Sequence, residues 1–227
     1  MRRKIWFLPV DKAAFKGDIP EICNMVPFEP FDFYIKRKLY IHNMGHATCA
    51  YLGDLLGLQY IYESINVHDI FVIVQNAMLE SAIALSKEYG VNLIDIQLHI
   101  TDLLCRFGNE ALKDTCSRVG GDPSRKLSPD DRLIGSSNLA VKNNIIPAYI
   151  SVGVAAGLVR YINETEGMEQ SEISALKVLK EVSKLDTKGK LASIIIEYYK
   201  MILNGCSISD LCKKAHSVKH SELQNVI

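Results

Sequence analysis

The sequence predicts an all-α, multi-helical domain over residues 34–227, led in by a short non-helical segment over residues 1–33. Two observations carry this. From Tyr34 onward apolar residues recur at helical spacing, with few convincing period-two alternations. Before Tyr34 the chain is punctuated by Pro9, Gly17, Pro20, Pro27 and Pro30, so it reads as connecting chain.

In order, "IWFLPV" in the lead has the composition of a short strand. "YIKRKLYIHNMGHATCAYLGDLLG" is one long amphipathic helix ending at Gly57. "VHDIFVIVQNAMLESAIALSKEYG" ends at Gly90, with Lys87 in its last turn, where a cation complements the helix C-terminus. "NLIDIQLHITDLLCRFG" follows, with Asn92 as its cap and Gly108 as its terminator. The segment "NEALKDTCSRVGGDPSRKLSPDDRLIG" interrupts the helices with a glycine pair and two prolines. Its "SPDD" predicts a helix start, with Ser128 capping and Pro129 at the first helical position. Helical periodicity returns in "IPAYISVGVAAGLVRYIN", "SEISALKVLKEVSKL", "KLASIIIEYYKMILNG" and "SISDLCKKAHS". "GVAAG" at 153–157 reads as a helix packing surface of small residues.

The 227 residues are 48% hydrophobic and 23% charged, ordinary values for a globular chain large enough to bury a sizeable core. Twenty-six Lys and Arg balance 26 Asp and Glu, which gives no broad electrostatic footprint for nucleic acid or an anionic membrane. The six cysteines contain no C-x-x-C pair, so reduced thiols in a cytoplasmic protein are the simpler reading. The apolar run at the N-terminus stops before the roughly 7–15 residues a signal peptide needs. "IIPAYISVGVAAGLV", read as the longest apolar stretch, falls short of the roughly 18 of a membrane span and contains Pro147.

Chemistry concentrates in "KLYIHNMGH", residues 38–46. On a uniform α-helix with Lys38 at zero, His42 falls near 40°, His46 near 80° and Asn43 near 140°, at about 100° per residue. Tyr40, Ile41, Met44, Ala47, Thr48, Tyr51, Leu52 and Leu55 take the other side. Three readings of the polar face stand: solvated surface, metal site and acid–base chemistry. For metal, two histidines stand at i and i+4, but the glutamate of H-E-x-x-H is replaced by Asn43 and no third ligand is identifiable. For acid–base work, a lysine partly withdrawn from water loses basicity, an asparagine N–H donates to an oxygen gaining charge, and a histidine holds a hydroxyl.

A second cluster, Arg118, Arg125, Lys126 and Arg132, surrounds Gly120, Gly121 and Pro123. It is either an anion site or a set of structural ion pairs with Asp122, Asp130 and Asp131. His216 and His220 near the C-terminus read as a frayed, solvated tail. Cys49 reads as packing and His99 as structural.

The spacing K-x-x-x-x-N-x-x-H in "RKLYIHNMGHATCAYLG" resembles the signature of the polyol-specific long-chain dehydrogenases. The likeness continues through "LPVDKAAFKGDIP", "NAMLESAIALSKEYGV", "RFGNEALKDTCSRVGGDPSRKLSPDDRLIG" and the helical tail, covering nearly the whole chain. The resemblance implies Lys38 as general acid–base, with Asn43 and His46 binding and polarising the reacting oxygen, and it implies no metal. It implies NAD as cofactor and a phosphorylated sugar alcohol as substrate, and so ligand contact for part of the 118–132 set. A related polyol or hexuronate dehydrogenase, or a non-catalytic sugar-phosphate-binding or interaction module, are the other readings. Members of the family pair a Rossmann-type NAD-binding domain with an all-helical C-terminal substrate domain. No G-x-G-x-x-G occurs in this sequence. The expectation is therefore a helical catalytic and substrate domain over 34–227. Residues 1–33 would be a remnant from the edge of an NAD-binding domain that must be supplied in cis or trans.

Overall fold

A computed structural model describes residues 7–224, with side chains described through Lys219. Strands β1 (Leu8–Asp11) and β2 (Met25–Phe28) form a two-stranded parallel sheet, Leu8 opposite Met25. The expected strand thus lies slightly later than "IWFLPV", whose Ile5 and Trp6 fall outside the described residues. β2 contains Pro27, which lacks an N–H for a ladder and is tolerated at a sheet edge. That proline hid the strand from sequence reading.

Helices follow without further strands among the described residues: α1 (Asp32–Arg37), a π-helical segment (Lys38–Asn43), α2 (Met44–Leu55), α3 (Ile61–Ile65), α4 (His68–Tyr89) and α5 (Leu93–Phe107). Then come α6 (Cys116–Gly120), α7 (Pro123–Lys126), α8 (Ile134–Lys142), α9 (Ala148–Glu164), α10 (Glu172–Glu181), α11 (Lys190–Leu203) and α12 (Ile208–Gln224). The all-α prediction holds. Gly90 ends α4 at φ 66°, a left-handed conformation suited to glycine, and the Asn92 side chain accepts from the Ile94 N–H to start α5.

Two boundaries differ. No helix begins at Pro129. The cap and proline work six residues earlier, where the Asp122 side chain accepts from Arg125 N–H and Pro123 occupies the first turn of α7. Ser128–Asp131 instead close a turn, with Asp131 N–H donating to Ser128 O at 3.2 Å. The C-terminal segment is a docked helix rather than a frayed tail. α12 packs on α4 and α9, and His216 Nδ1 lies 3.5 Å from the Tyr149 hydroxyl. The side chain of His220 lies outside the described residues.

The core centres on α2. From Met44 to Gly53 every residue except His46 is buried, so this stretch is not the two-faced helix that periodicity suggested. Helices α3, α4, α6 and α9 surround it. α9 approaches α2 closely because Gly153 has no side chain: a Cβ there would lie 2.3 Å from Thr48 Oγ1. "GVAAG" is thus the packing surface expected, and Cys49 is fully buried packing. α4 is long and apolar enough to match a membrane span, although the sequence drew attention to α9 instead. Over half of the apolar window in α4 is buried, and α4 packs against α2, α5, α8, α9 and α12.

Candidate active site

The helix that carries the polar residues changes pitch at the site. Between Lys38 and Asn43 it is π-helical, a geometry that hydrogen-bonds i to i+5 and recurs at functional sites. A uniform α-helix would set Asn43 about 140° from Lys38. The wider π turn brings residue i+5 back toward residue i, and both side chains line one open cleft of ≈ 740 Å³. Lys38 is exposed there and Asn43 half-buried. Tyr34 and Arg37 of α1, His42 of the π segment, and His99 and Arg106 of α5 line the same cleft.

His46 lies in the first turn of α2, in a small adjoining pocket of ≈ 40 Å³ that shares His42 and Arg106 with the cleft. Its ring stacks on Phe107, centroids 4.7 Å apart and planes 12° apart. Its Nε2 lies 3.6 Å from Asp114 Oδ2, a contact that is an ion pair only when the ring is protonated. Burial outweighs that carboxylate and lowers the His46 pKa to about 4, with Arg118, Arg132 and Arg106 adding to the shift. The neutral ring is the physically sound state near pH 7, because Asp114 is already engaged by Arg118. His42 is likewise lowered to about 4, first by burial and then by His46 and Arg106. Neutral imidazoles give one N–H donor and one acceptor each, which suits them to holding hydroxyls. Among the described residues no group of three or more His, Cys, Asp or Glu side chains gathers as a metal ligand set.

The 118–132 loop is attached to the π segment by Tyr40, whose hydroxyl donates to Asp130 O at 3.3 Å. Its cations mostly have carboxylate partners: Arg118 with Asp114, Arg125 with Asp122 at 2.9 Å and Arg132 with Asp131 at 2.7 Å. Lys126 is 4% exposed and makes no ion pair among the described residues, and burial lowers its pKa to about 8. Of the four, Arg118 and Arg132 act electrostatically on His46. None of them lines the cleft that holds Lys38 and Asn43.

Sequence reasoning missed Arg37, His99 and Arg106. His99 was read as structural, yet it faces the cleft half-buried, lowered to about 4 by burial and by Arg37 and Arg106. The available signal was its spacing: His99 and Arg106 stand two turns apart on one face of α5.

Fold and cleft define an all-α domain whose polar side chains gather at one end of its central helix. Residues 31–200 match the mannitol dehydrogenase C-terminal domain, and the chain belongs to that family. It is 36% identical over 196 residues to mannitol-1-phosphate 5-dehydrogenase of Thermoanaerobacter pseudethanolicus, covering 84% of this chain and 50% of that protein. The namesake enzyme of Buchnera aphidicola subsp. Baizongia pistaciae is also 36% identical, over 202 residues, covering 86% of this chain and 51% of the relative. That of Caldanaerobacter subterraneus subsp. tengcongensis is 39% identical over 149 residues, covering 66% and 38%. Thus the chain spans about half the length, or less, of these curated relatives. A solved structure of Pseudomonas fluorescens mannitol 2-dehydrogenase, a ternary complex with NAD and D-mannitol, shares the fold with a TM-score of 0.67 at 16% identity. The match covers 86% of this chain and 43% of that one.

Proposed function

We propose that this chain is the substrate-binding and catalytic part of an NAD-dependent mannitol-1-phosphate 5-dehydrogenase, which interconverts mannitol 1-phosphate and fructose 6-phosphate. The observation that carries the reading is the π turn, which sets Lys38 and Asn43 on one cleft beside a neutral His46. The names of the relatives support the choice of substrate.

The described residues form no dinucleotide cradle. β1 and β2 are joined through residues 12–24 without a glycine-rich turn into a long helix. NAD, the hydride acceptor, therefore requires a separate dinucleotide-binding part, in cis or in trans. Within this chain, Lys38 in its amine form takes the hydroxyl proton as the C–O bond gains carbonyl character. Asn43 donates its amide N–H to that oxygen, and His46 holds it in place. In the reverse direction the Lys38 ammonium returns the proton. Arg118 and Arg132 support the His46 side of the site electrostatically, and Arg125 and Lys126 belong to the same loop.

The test compares these 227 residues alone with the same residues joined to a dinucleotide-binding part, following NADH formation from mannitol 1-phosphate. Turnover is expected only when the second part is present. Ordinary enzymatic rates from the 227 residues alone, or none from the joined protein, overturn the reading.

A further inference from the structure

The described lining of the cleft concentrates positive charge. Among the described residues its lining includes Arg37, Lys38 and Arg106 and not one aspartate or glutamate. The described residues contain six arginines. Arg118, Arg125, Arg132 and Arg160 each pair with a carboxylate, and Arg160 does so with both Asp54 and Glu164. Arg37 and Arg106 make no ion pair among the described residues, and they are the two that line this cleft. Both act electrostatically on the one ring of His99, so they converge on the same region of the wall.

Arg37 is also held in place. Its guanidinium carbon lies 4.9 Å from the centroid of Tyr34 and 5.8 Å from that of Phe33. Burial of this group costs solvation that no carboxylate among the described residues returns. A dianionic ligand would supply the missing partner, and guanidinium forks match phosphate oxygens in geometry. A charged cleft without acids also draws anions in from solution.

We propose that Arg37 and Arg106 are the phosphate anchors of the substrate site, with His99 donating a further hydrogen bond. The assignment rests on reading the site as that of a polyol-phosphate dehydrogenase. It moves phosphate recognition from the 118–132 loop, where each arginine already has a carboxylate, to the cleft that Lys38 and Asn43 also line. It also accounts for Lys38 standing next to Arg37: the residue that moves the proton and one that fixes the substrate's charged end are consecutive on the same helix.

The experiment uses the complete enzyme and measures kcat/KM for mannitol 1-phosphate and for mannitol. Variants are Arg37→Gln, Arg106→Gln and, as the rival anchor, Arg125→Gln. Charge-assisted hydrogen bonds of this kind predict a fall of about 10–100-fold in the phosphorylated-to-free ratio for each cleft variant. Arg125→Gln moves the ratio less, and Arg106→Lys restores part of it. Equal losses on both substrates, or a ratio that collapses only in Arg125→Gln, overturn the proposal. If the wild-type enzyme oxidises neither compound, the dehydrogenase reading fails separately. Inorganic phosphate titrated into the 227-residue chain by NMR then decides the anion site. Shifts in wild type that vanish in Arg37→Gln and Arg106→Gln sustain it, and an unresponsive wild type refutes it.

Discussion

Glu80 of α4 is buried, 3% exposed, and holds the start of α9 in place. Its carboxylate accepts from the backbone N–H groups of Tyr149, at 3.1 Å, and Ile150, at 3.0 Å, and stands 3.3 Å from Lys219 Nζ of α12. Burial raises its pKa from 4.5 to about 7, against the pull of Lys219 and the two N–H groups. The folded state therefore keeps a proton that the unfolded state has released between about pH 4.5 and 7. Stability from this group is present at the acid end and is lost as pH rises through that window. At about 1.4 kcal/mol per unit, the loss amounts to about 3 kcal/mol. Glu80→Gln keeps an oxygen for the two N–H groups and removes the titration. Urea unfolding of both proteins at about pH 5, 6, 7 and 8 should show wild type losing about 2–3 kcal/mol relative to the variant across the range. Taking the difference cancels His42, His46 and His99, whose lowered pKa values add stability as pH rises from about 4 to 6.5. A flat difference, or one that grows in favour of wild type, refutes the reasoning.

Lys38→Ala in the complete enzyme should cut turnover by about 10²–10⁴, and added small amines should restore part of it; near-normal turnover with the same pH profile would assign the proton to another residue. Because Lys38 is exposed, its urea midpoint should change little. Lys126→Met should stabilise the protein near pH 7 by about 1–2 kcal/mol, allowing for water at the ammonium tip. The native Lys126 amine, lowered to about 8, releases its proton before the unfolded chain does, so wild type should close that gap as pH rises from about 8 to 10.5. Gly153→Ala sets a methyl 2.3 Å from Thr48 Oγ1 and should cost about 1–3 kcal/mol by equilibrium unfolding. Thr48→Ala in the same chain should recover part of that loss, because it removes the nearest colliding atoms.

Signals confined to neighbouring residues were legible in the sequence. Gly90 and Asn92 mark the end of α4 and the start of α5, because cap chemistry needs only a few residues of context. The "SPDD" start failed because Asp122 and Pro123 offered the same chemistry a few residues earlier, leaving Ser128–Asp131 to close a turn. α2 misled by composition. Small residues such as Gly45, Ala50 and Gly53 read as neutral on a helical wheel, yet they let neighbouring helices close over that side. β2 depended on a partner beyond its own sequence, and α12 on Glu80 waiting in α4.

The π segment explains why the candidate site was found by resemblance while its geometry was not. An even 100° per residue sets Asn43 about 140° from Lys38, and the wheel alone left solvated surface, metal site and acid–base chemistry all open. Nothing in "KLYIHN" forces a π turn, since each residue there is compatible with an ordinary α-helix. The packing on either side supplies a physical cause. Tyr40 and Ile41 are buried on the core side of the segment, and Met44 onward is locked between α4 and α9. α1 is fixed separately, through Phe33 against Tyr89 and Tyr34 against Phe28. Two anchored helices joined out of α-helical phase are reconciled by one wide turn. The chain adopts it where Lys38 and Asn43 gain a shared cleft, so the same local departure from regular structure serves both the packing and the proposed chemistry.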